Sequence, residues 1–290
     1  MFNGTLTALA TPFRDGEVDA PALRDLIEWQ IQAGIDGLVP CGSTGESATL
    51  THAEHDSVIK LTIEQTRKRV PVIAGTGSNS TAEAIRLTAA AREMGADGAL
   101  LLSPYYNKPT QDGIFKHYKT IAASVDLPIF VYNIPGRTAS NILPETVARL
   151  AEIKNIVGIK EASASMDQSS DILKLCGDRI TILSGDDALT LPLVALGAKG
   201  VISTCSNIVP REMHDLAAAA LAGDFAKARE IHFRLLPLMR ALFVETNPIP
   251  IKQALAFMGK CANELRMPLV PMTAGPADKL RIAMKELRLV

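Results

Sequence analysis

Residues 98–132, GALLLSPYYNKPTQDGIFKHYKTIAASVDLPIFVY, carry the pattern that decides the fold. In this stretch the apolar runs Gly98–Leu102 and Pro128–Tyr132 suit short buried strands, and the longer segment between them has helical period. The same alternation recurs about eight times along the chain. Near-continuous apolar runs are typical of parallel strands that are covered on both faces, so we expect an α/β protein.

Eight strands are predicted from apolar runs that are rich in β-branched residues and bounded by glycine. Their ranges are Thr5–Ala10, Gly37–Cys41, Val70–Ala74, Gly98–Leu102, Pro128–Tyr132, Ile156–Lys160, Ile180–Ser184 and Gly200–Thr204. Eight units over roughly 200 residues match a (β/α)8 barrel, the TIM barrel, better than an open doubly wound sheet. An open sheet usually has fewer strands and a glycine-rich dinucleotide turn after the first.

Several of the intervening helices have recognisable starts. Three pairs have the capping-box spacing, in which two side chains satisfy free backbone N–H groups at a helix start: Thr51 with Glu54, Ser80 with Glu83, and Ser165 with Gln168. Pro144 suits the first turn of another helix. Each of these starts falls between two predicted strands, as a β/α repeat requires.

The chain continues well beyond the last predicted strand. Pro210–Leu221 is predicted as the eighth helix, and Gly223 with Asp224 as a joint. The remaining helical segments are punctuated by Pro237, by Asn247–Pro250 and by Pro268. We therefore predict two domains, a catalytic barrel over residues 1–224 and a small all-helical C-terminal domain over residues 225–290.

Composition excludes several classes of function. Lys and Arg number 30 against 31 Asp and Glu, a net charge of -1, so there is no general positive field to hold nucleic acid or an anionic membrane. Hydrophobic residues make up 47% and charged residues 21%, which suits a globular chain with a sizeable core. No apolar run approaches the ~18 residues of a membrane helix.

The cysteines and the N-terminal sequence suggest a compartment. Cys41, Cys176, Cys205 and Cys261 are widely spaced and form no C-x-x-C pair, so we expect reduced, mostly buried thiols. The first fifteen residues have no basic region, and their apolar stretch is broken by Thr and Pro, which argues against a signal peptide. We expect a cytoplasmic protein.

Lys160 is the first candidate for chemistry, because active sites of such barrels lie at the C-terminal ends of the strands. It directly follows the apolar run Ile156–Ile159, so burial should lower the pKa of its amine and leave a fraction able to attack a carbonyl as a Schiff-base nucleophile. A lysine at this position could equally reach solvent or pair with a carboxylate. Glu161 is a poor partner, since neighbouring residues of a strand point to opposite faces.

Three of the four tyrosines, Tyr105, Tyr106 and Tyr132, also fall near predicted strand ends on the same face. A tyrosine hydroxyl near a Schiff base can carry a proton, although a single ring at such a place is more often packing. The loop Gly42–Glu46 offers hydroxyls and free N–H groups to a small carboxylate, or is simply a tight turn. Arg137 could hold a second carboxylate or lie free on the surface.

Motifs for other cofactors are weak. Gly75-Thr76-Gly77 lacks the third glycine of a dinucleotide loop, and no Walker A sequence occurs. The stretch His52–His55 has only a superficial likeness to a zinc site, because neither H-E-x-x-H nor P-C-x-x-C is present. We expect no metal and no cofactor.

Six motifs in order together resemble one family. They are G-S-T-G-E at 42–46, P-Y-Y-N at 104–107, Y-N-I-P-G-R-T at 132–138, G-I-K-E-A at 158–162, S-G-D-D at 184–187 and N-P-I-P at 247–250. The pattern is similar to the dihydrodipicolinate synthases and spans essentially the whole chain. Its lysine-strand and G-x-T-G-E motifs are shared with the wider pyruvate-dependent aldolases, which include N-acetylneuraminate lyase and keto-deoxy-sugar-acid aldolases.

The resemblance implies condensation of pyruvate with L-aspartate 4-semialdehyde to 4-hydroxy-tetrahydrodipicolinate, for lysine and diaminopimelate synthesis. Lys160 would form the Schiff base and Tyr132 would donate and accept the proton. Ser43 and Tyr106 would complete a proton relay, with Tyr106 reaching across from a neighbouring subunit of a homotetramer, a dimer of dimers. The iminium would serve as the electron sink, so no metal is implied.

Further substrate contacts are carried over from the same resemblance. Thr44, Ile202 and Gly185 would bind substrate, Ile202 through its backbone. Arg137 would hold the carboxylate of the semialdehyde, which favours a synthase over aldolases of neutral sugars. Ser43 departs from the family, where threonine is more frequent at this position; it keeps the hydroxyl and loses the methyl group that restricts its rotamer.

A second site is also implied. Members of the family inhibited by L-lysine bind it at a subunit interface, through residues that match Ala48, His52, His55, Gly77, Ser78, Asn79, Glu83 and Tyr105, with Ser78 in place of a common alanine. Glu83 could instead be only a capping residue and the histidines only part of a helix start. Two other functions remain open, an aldolase for a sugar-derived acid and a non-catalytic barrel that senses lysine or pyruvate.

Overall fold

Eight parallel strands form the centre of the molecule, which a computed structural model describes over residues 2–290. The strands are β1 (Gly4–Ala8), β4 (Gly37–Val39), β5 (Ile73–Gly75), β6 (Gly98–Leu102), β7 (Ile129–Asn133), β8 (Ile156–Glu161), β9 (Thr181–Ser184) and β10 (Gly200–Ser203). Their order around the sheet is β4-β1-β10-β9-β8-β7-β6-β5. A parallel bridge between Leu38 and Val72 joins the two ends, so the predicted (β/α)8 barrel is confirmed.

The helices alternate with the strands and end in a C-terminal group. They are α1 (Ala20–Gln32), α2 (His52–Thr66), α3 (Thr81–Met94), α4 (Gln111–Ser124), α5 (Pro135–Thr138), α6 (Pro144–Leu150), α7 (Met166–Cys176), α8 (Thr190–Leu196), α9 (Pro210–Leu221), α10 (Phe225–Ala241), α11 (Ile249–Phe257) and α12 (Ala274–Glu286). A short antiparallel hairpin, β2 (Phe13–Arg14) with β3 (Glu17–Val18), follows the first strand. The sequence pattern did not predict this hairpin.

Some strand boundaries differ from the prediction by two or three residues. The run predicted as Val70–Ala74 forms a strand only over Ile73–Gly75, because Pro71 has no N–H group to donate. The first strand ends at Ala8, two residues earlier than predicted.

The predicted helix starts have mixed outcomes. The Thr51–Glu54 capping box is complete, and Pro144 lies in the first turn of α6. Ser165 accepts from the Gln168 N–H at 3.1 Å, but the Gln168 side chain does not return the bond. The remaining box, Ser80 with Glu83, is wrong: the Ser80 side chain makes no capping bond, and the Ser80 N–H donates to Ser78 Oγ at 3.0 Å and not to Glu83. The Glu83 carboxylate is bound by His52 and Ser78.

Pro237 was expected to interrupt a helix, and this expectation is wrong. It lies inside α10, which continues to Ala241. Leu235, Leu238 and Met239 on either side are buried, so packing outweighs the hydrogen bond that proline cannot donate.

Apolar packing forms a filled barrel and several layers around it. The interior holds side chains from seven strands, among them Leu6, Val39, Ile73, Leu100, Phe130, Leu183 and Ile202. A further cluster runs from α9 and β10 into α10, α11 and α12, so the C-terminal helices share a core with the barrel. The boundary at 224/225 stays a prediction, although Phe225 does begin α10.

Two further expectations concern cysteines and membranes. All four cysteines are free, with Cys41, Cys176 and Cys205 buried and Cys261 partly so, which confirms the sequence prediction. Among residues 2–290, no helix has the length and apolar character needed to cross a bilayer.

Gly158 provides a test of the packing that positions strand β8, which carries Lys160. An added Cβ would lie 2.2 Å from Cε1 of Phe130 inside the barrel, which has no room to move. We expect Gly158→Ala to lower the free energy of unfolding by about 1–3 kcal/mol in urea denaturation. As the control, Gly275→Ala in α12 meets nothing within 4 Å and should be neutral or slightly stabilising. Equal effects of the two substitutions would contradict this account.

Candidate active site

Lys160 and Tyr132 form the centre of the site at the C-terminal ends of β8 and β7. The two residues are paired in register on these neighbouring strands. The Lys160 Nζ atom lies 4.3 Å from the centroid of the Tyr132 ring. Both side chains are buried, with residue exposures of 5% and 6%. The strand pairing predicted from sequence therefore brings the amine and the phenol together.

Burial sets the protonation of both groups. Loss of solvation lowers the pKa of Lys160 to about 8, against an opposing effect of the Asp187 carboxylate, while the Arg137 charge lowers it further. Burial raises the pKa of Tyr132 to about 12, although Arg137 and the Ser43 hydroxyl oppose this shift. At neutral pH the site therefore combines a readily deprotonated amine with a protonated phenol, the pairing that Schiff-base chemistry requires.

Gly185 leaves space for the stem of the lysine. A Cβ added at this position would lie 3.1 Å from both Cγ and Cε of Lys160 and 2.6 Å from the Cβ of Ala162. Any larger residue here would push the Lys160 side chain from its place. The sequence singled out Gly185 for substrate, and the structure places it against Lys160.

Asp187 is a functional candidate that sequence reasoning missed, although the S-G-D-D motif contains it. Its Oδ2 atom accepts from the backbone N–H groups of Thr204 at 3.1 Å and Cys205 at 2.9 Å. Oδ1 is buried without a partner, and burial raises the pKa of the carboxyl to about 6. At neutral pH Asp187 is thus an anion at the same end of the barrel as Lys160. Its negative charge favours the protonated form of the Lys160 amine.

The loop over residues 42–46 presents hydroxyls and two free N–H groups. Within residues 2–290, the N–H groups of Ser43 and Thr44 donate to no protein acceptor, whereas those of Gly45 and Glu46 close the turn. Thr44 is buried, and its Oγ1 accepts from Nδ2 of Asn247 at 3.0 Å. Free donors beside a hydroxyl suit a carboxylate.

The remaining predicted substrate residues lie at different depths. Ile202 is fully buried in the barrel interior on β10. Arg137 is exposed on the short helix α5, and its Nη2 donates to the Asn247 carbonyl at 2.8 Å. Its positive charge lowers the pKa of both Lys160 and Tyr132.

One cavity of about 460 Å³ joins the two predicted sites. Its lining includes Ser43, Tyr132 and Arg137 from the predicted catalytic set, and Ala48, His52, His55, Gly77, Glu83 and Tyr105 from the predicted lysine set. Lys160, Thr44, Ile202 and Gly185 do not line it. Ser78 and Asn79 contribute indirectly, since the Ser78 hydroxyl donates to Glu83 and the Asn79 amide donates to the Tyr105 carbonyl at 3.3 Å.

The three tyrosines do not share one face, contrary to the sequence expectation. Tyr105 and Tyr106 lie in the loop beyond the end of β6, so strand alternation does not govern them. Tyr105 lines the cavity with Tyr132, whereas Tyr106 is 87% exposed and has a positive φ of 66°. A single chain therefore leaves Tyr106 outside the site.

The predicted lysine set is polar and partly charged. His52 Nε2 lies 3.0 Å from Glu83 Oε1, and hydrogen bonds from Ser78 and His52 lower the pKa of Glu83. The His55 ring is buried, with Nε2 2.9 Å from the Gly75 carbonyl, and burial lowers its pKa. Since a carbonyl only accepts, Nε2 carries the proton. This end of the cavity thus presents an anionic carboxylate.

Together, the (β/α)8 barrel and a buried strand-end lysine beside a tyrosine define a lyase of the Schiff-base-forming class. The sequence model of the dihydrodipicolinate synthetase family matches residues 1–287. The chain belongs to this family.

Known members are similar over their whole length. The 4-hydroxy-tetrahydrodipicolinate synthase of Syntrophus aciditrophicus is 59% identical over 290 residues, with all of both chains covered. The dihydrodipicolinate synthase of Acinetobacter baumannii, solved in complex with pyruvate, superposes with a TM-score of 0.99 at 44% identity and full coverage of both chains. The enzyme of Cyanidioschyzon merolae, solved with lysine bound, has a TM-score of 0.97 at 41% identity, covering 100% of this chain and 99% of the other.

The charges around Lys160 predict how its titration responds to substitution. Competitive labelling with acetic anhydride, resolved by peptide mass spectrometry, should show Lys160 becoming reactive with a midpoint near pH 8. Arg137→Gln should raise this midpoint, because it removes a neighbouring positive charge. Asp187→Asn should lower it, because it removes the negative charge that favours the ammonium. Shifts of the opposite sign would contradict this electrostatic account.

Proposed function

We propose that the protein condenses pyruvate with L-aspartate 4-semialdehyde to give 4-hydroxy-tetrahydrodipicolinate, in lysine and diaminopimelate biosynthesis. The observation that carries the proposal is the buried Lys160 amine against Tyr132, in a chain of this family. Support also comes from the name of the Syntrophus relative and from the pyruvate in the Acinetobacter structure.

In the first step the free amine of Lys160 attacks the ketone carbon of pyruvate. The carbinolamine loses its hydroxyl as water, with the proton supplied by the Tyr132 phenol, and leaves an iminium on Lys160. The Tyr132 phenolate takes a C3 proton and gives the enamine, because the iminium accepts the electron pair. The enamine carbon then attacks the aldehyde of the second substrate, and the resulting alkoxide takes a proton from Tyr132. The amino group of the semialdehyde then attacks the iminium carbon, which closes the ring and releases the free amine of Lys160.

Other residues bind the substrates and pass protons. Ser43 would relay the proton from Tyr132, and Tyr106 of a neighbouring subunit would complete this relay. Thr44 with the free loop N–H groups would hold the pyruvate carboxylate, and the Ile202 backbone would contact pyruvate. Gly185 would leave room for both the lysine stem and the bound substrate.

Arg137 would select the second substrate. Its guanidinium stands at the cavity wall, where a carboxylate of the semialdehyde could accept two parallel hydrogen bonds. A substrate without that carboxylate would leave the cation unpaired, so the clamp discriminates against neutral aldehydes.

Trapping and turnover test this function together. Borohydride with pyruvate should add a stable adduct to Lys160, and Lys160→Ala should abolish it, while Lys154→Ala, an exposed lysine just before the same strand, should trap normally. The wild-type protein should consume pyruvate rapidly with L-aspartate 4-semialdehyde. Trapping without this turnover would move the assignment to an aldolase for a sugar-derived acid, and no trapping would favour a non-catalytic sensor.

We propose in addition that L-lysine inhibits the enzyme from the far end of the same cavity. Glu83 would pair with an ammonium group of lysine, beside His52, His55 and Tyr105. The lysine-bound Cyanidioschyzon structure supports this assignment.

A lysine titration tests the second site. Glu83→Gln should raise the half-inhibitory lysine concentration by about tenfold or more, since one charged hydrogen bond is lost. Glu93→Gln, an exposed residue of the same helix, should leave inhibition unchanged. Activity that does not fall with lysine in the wild type would refute the proposal.

Assembly and location complete the proposal. The exposure of Tyr106 supports a homotetramer, a dimer of dimers, in which a neighbouring subunit receives this residue. Four free cysteines support a cytoplasmic location.

A further inference from the structure

Lys252 lies buried where the C-terminal helix α11 meets the barrel. Its exposed fraction is 0%, and its Nζ donates to the Thr11 carbonyl at 2.5 Å and to Oε1 of Glu46 at 3.0 Å. The ammonium also lies 4.3 Å from the centroid of the Phe13 ring. Both hydrogen bonds of this charge therefore come from the barrel side, around the loop over residues 42–46.

Glu46 also accepts a hydrogen bond from a second part of the C-terminal segment, at Arg266. Its carboxylate is buried, and Oε2 accepts from the backbone N–H of Arg266 at 3.1 Å. Its own backbone is left-handed, with φ at 53°, which closes the turn begun at Gly42. The preceding residue, Gly45, is held by its carbonyl, which accepts from the Thr11 hydroxyl at 2.8 Å.

These contacts enclose the segment that presents Ser43 and Thr44. Asn247, five residues before Lys252, donates to the Thr44 hydroxyl at 3.0 Å. The short N-P-I-P-I-K stretch over residues 247–252 thus touches the loop at its middle and at its end. A shift of the Glu46 carboxylate would carry Thr44 and its free N–H group with it.

A buried ion pair is a poor source of stability alone, because desolvating two charges costs about as much as their attraction returns. Such a pair instead fixes the local geometry, because charge-assisted hydrogen bonds hold atoms at defined distances. The loop it fixes here carries the groups assigned to the pyruvate carboxylate.

We propose that Glu46 and Lys252 are positioning residues, whose ion pair holds the loop over residues 42–46 in the conformation that binds the carboxylate of a 2-oxo acid. This inference rests on the proposed function. The C-terminal helices thereby take part in substrate affinity. Glu46 lies in the cavity wall, but its carboxylate oxygens are bound to Lys252 and to the Arg266 N–H, so it acts through the loop.

The test measures borohydride trapping as a function of pyruvate concentration, with thermal midpoints alongside. Glu46→Gln and Lys252→Met should each raise half-saturating pyruvate by about tenfold or more, with a smaller fall in the maximal trapping rate. The double substitution removes both buried charges, so it should recover thermal stability while affinity for pyruvate stays weak. Glu245→Gln is the control, because Glu245 ties the C-terminal segment together at Thr273 and has no hydrogen bond to the loop or to Lys252.

The outcomes separate positioning from simple stabilisation. Lower thermal midpoints with wild-type half-saturation in both single variants would overturn the inference, as would a double variant that recovers affinity. If Lys252→Met does not fold, the isosteric Glu46→Gln decides alone. Wild-type protein that traps no pyruvate would overturn the proposed function and this inference with it. If the wild-type protein traps pyruvate normally but the variants keep wild-type half-saturation, only the inference about the ion pair is overturned.

Discussion

Exclusion of water from the Lys160 amine is the constraint on which the rest of the site depends. An ammonium loses solvation in the barrel end, so its pKa falls to about 8 and roughly a tenth of the amine is free at pH 7. The same loss of solvation keeps the Tyr132 phenol protonated. One physical cause therefore prepares both the proposed nucleophile and the proposed proton donor, and the filled barrel beneath them maintains it.

The fold and the centre of the site were predictable because both depend on local sequence. Apolar runs of five residues or so give buried parallel strands, and a polar residue at the end of such a run faces the active end of a barrel. Lys160 and Tyr132 follow from this rule. A prediction from local spacing fails where a side chain has a distant partner. Ser80 and Glu83 have capping-box spacing, yet Glu83 binds His52, 31 residues away.

Long-range polar contacts account for what the sequence could not predict. Asn247 reaches Thr44 across 203 positions and Lys252 reaches Glu46 across 206, and no periodicity encodes such pairs. A weak signal was available, since Lys252 is a lone charge in the apolar stretch Ile249–Leu255 and buried charges need partners. The sequence could not name the partner, because the fold alone brings the two segments together.

Close packing also connects the two ends of the cavity. His55 binds the Gly75 carbonyl, and a Cβ on Gly75 would lie 2.2 Å from the Cys41 carbonyl oxygen, so the ends of β4 and β5 touch without spare room. Cys41 immediately precedes the loop that presents Ser43 and Thr44. A ligand that moves His55 must therefore move Gly75 or break its hydrogen bond, and a moved Gly75 displaces Cys41. The proposed inhibition from the far end then requires no large rearrangement, because these contacts reach the loop over residues 42–46 within a few residues.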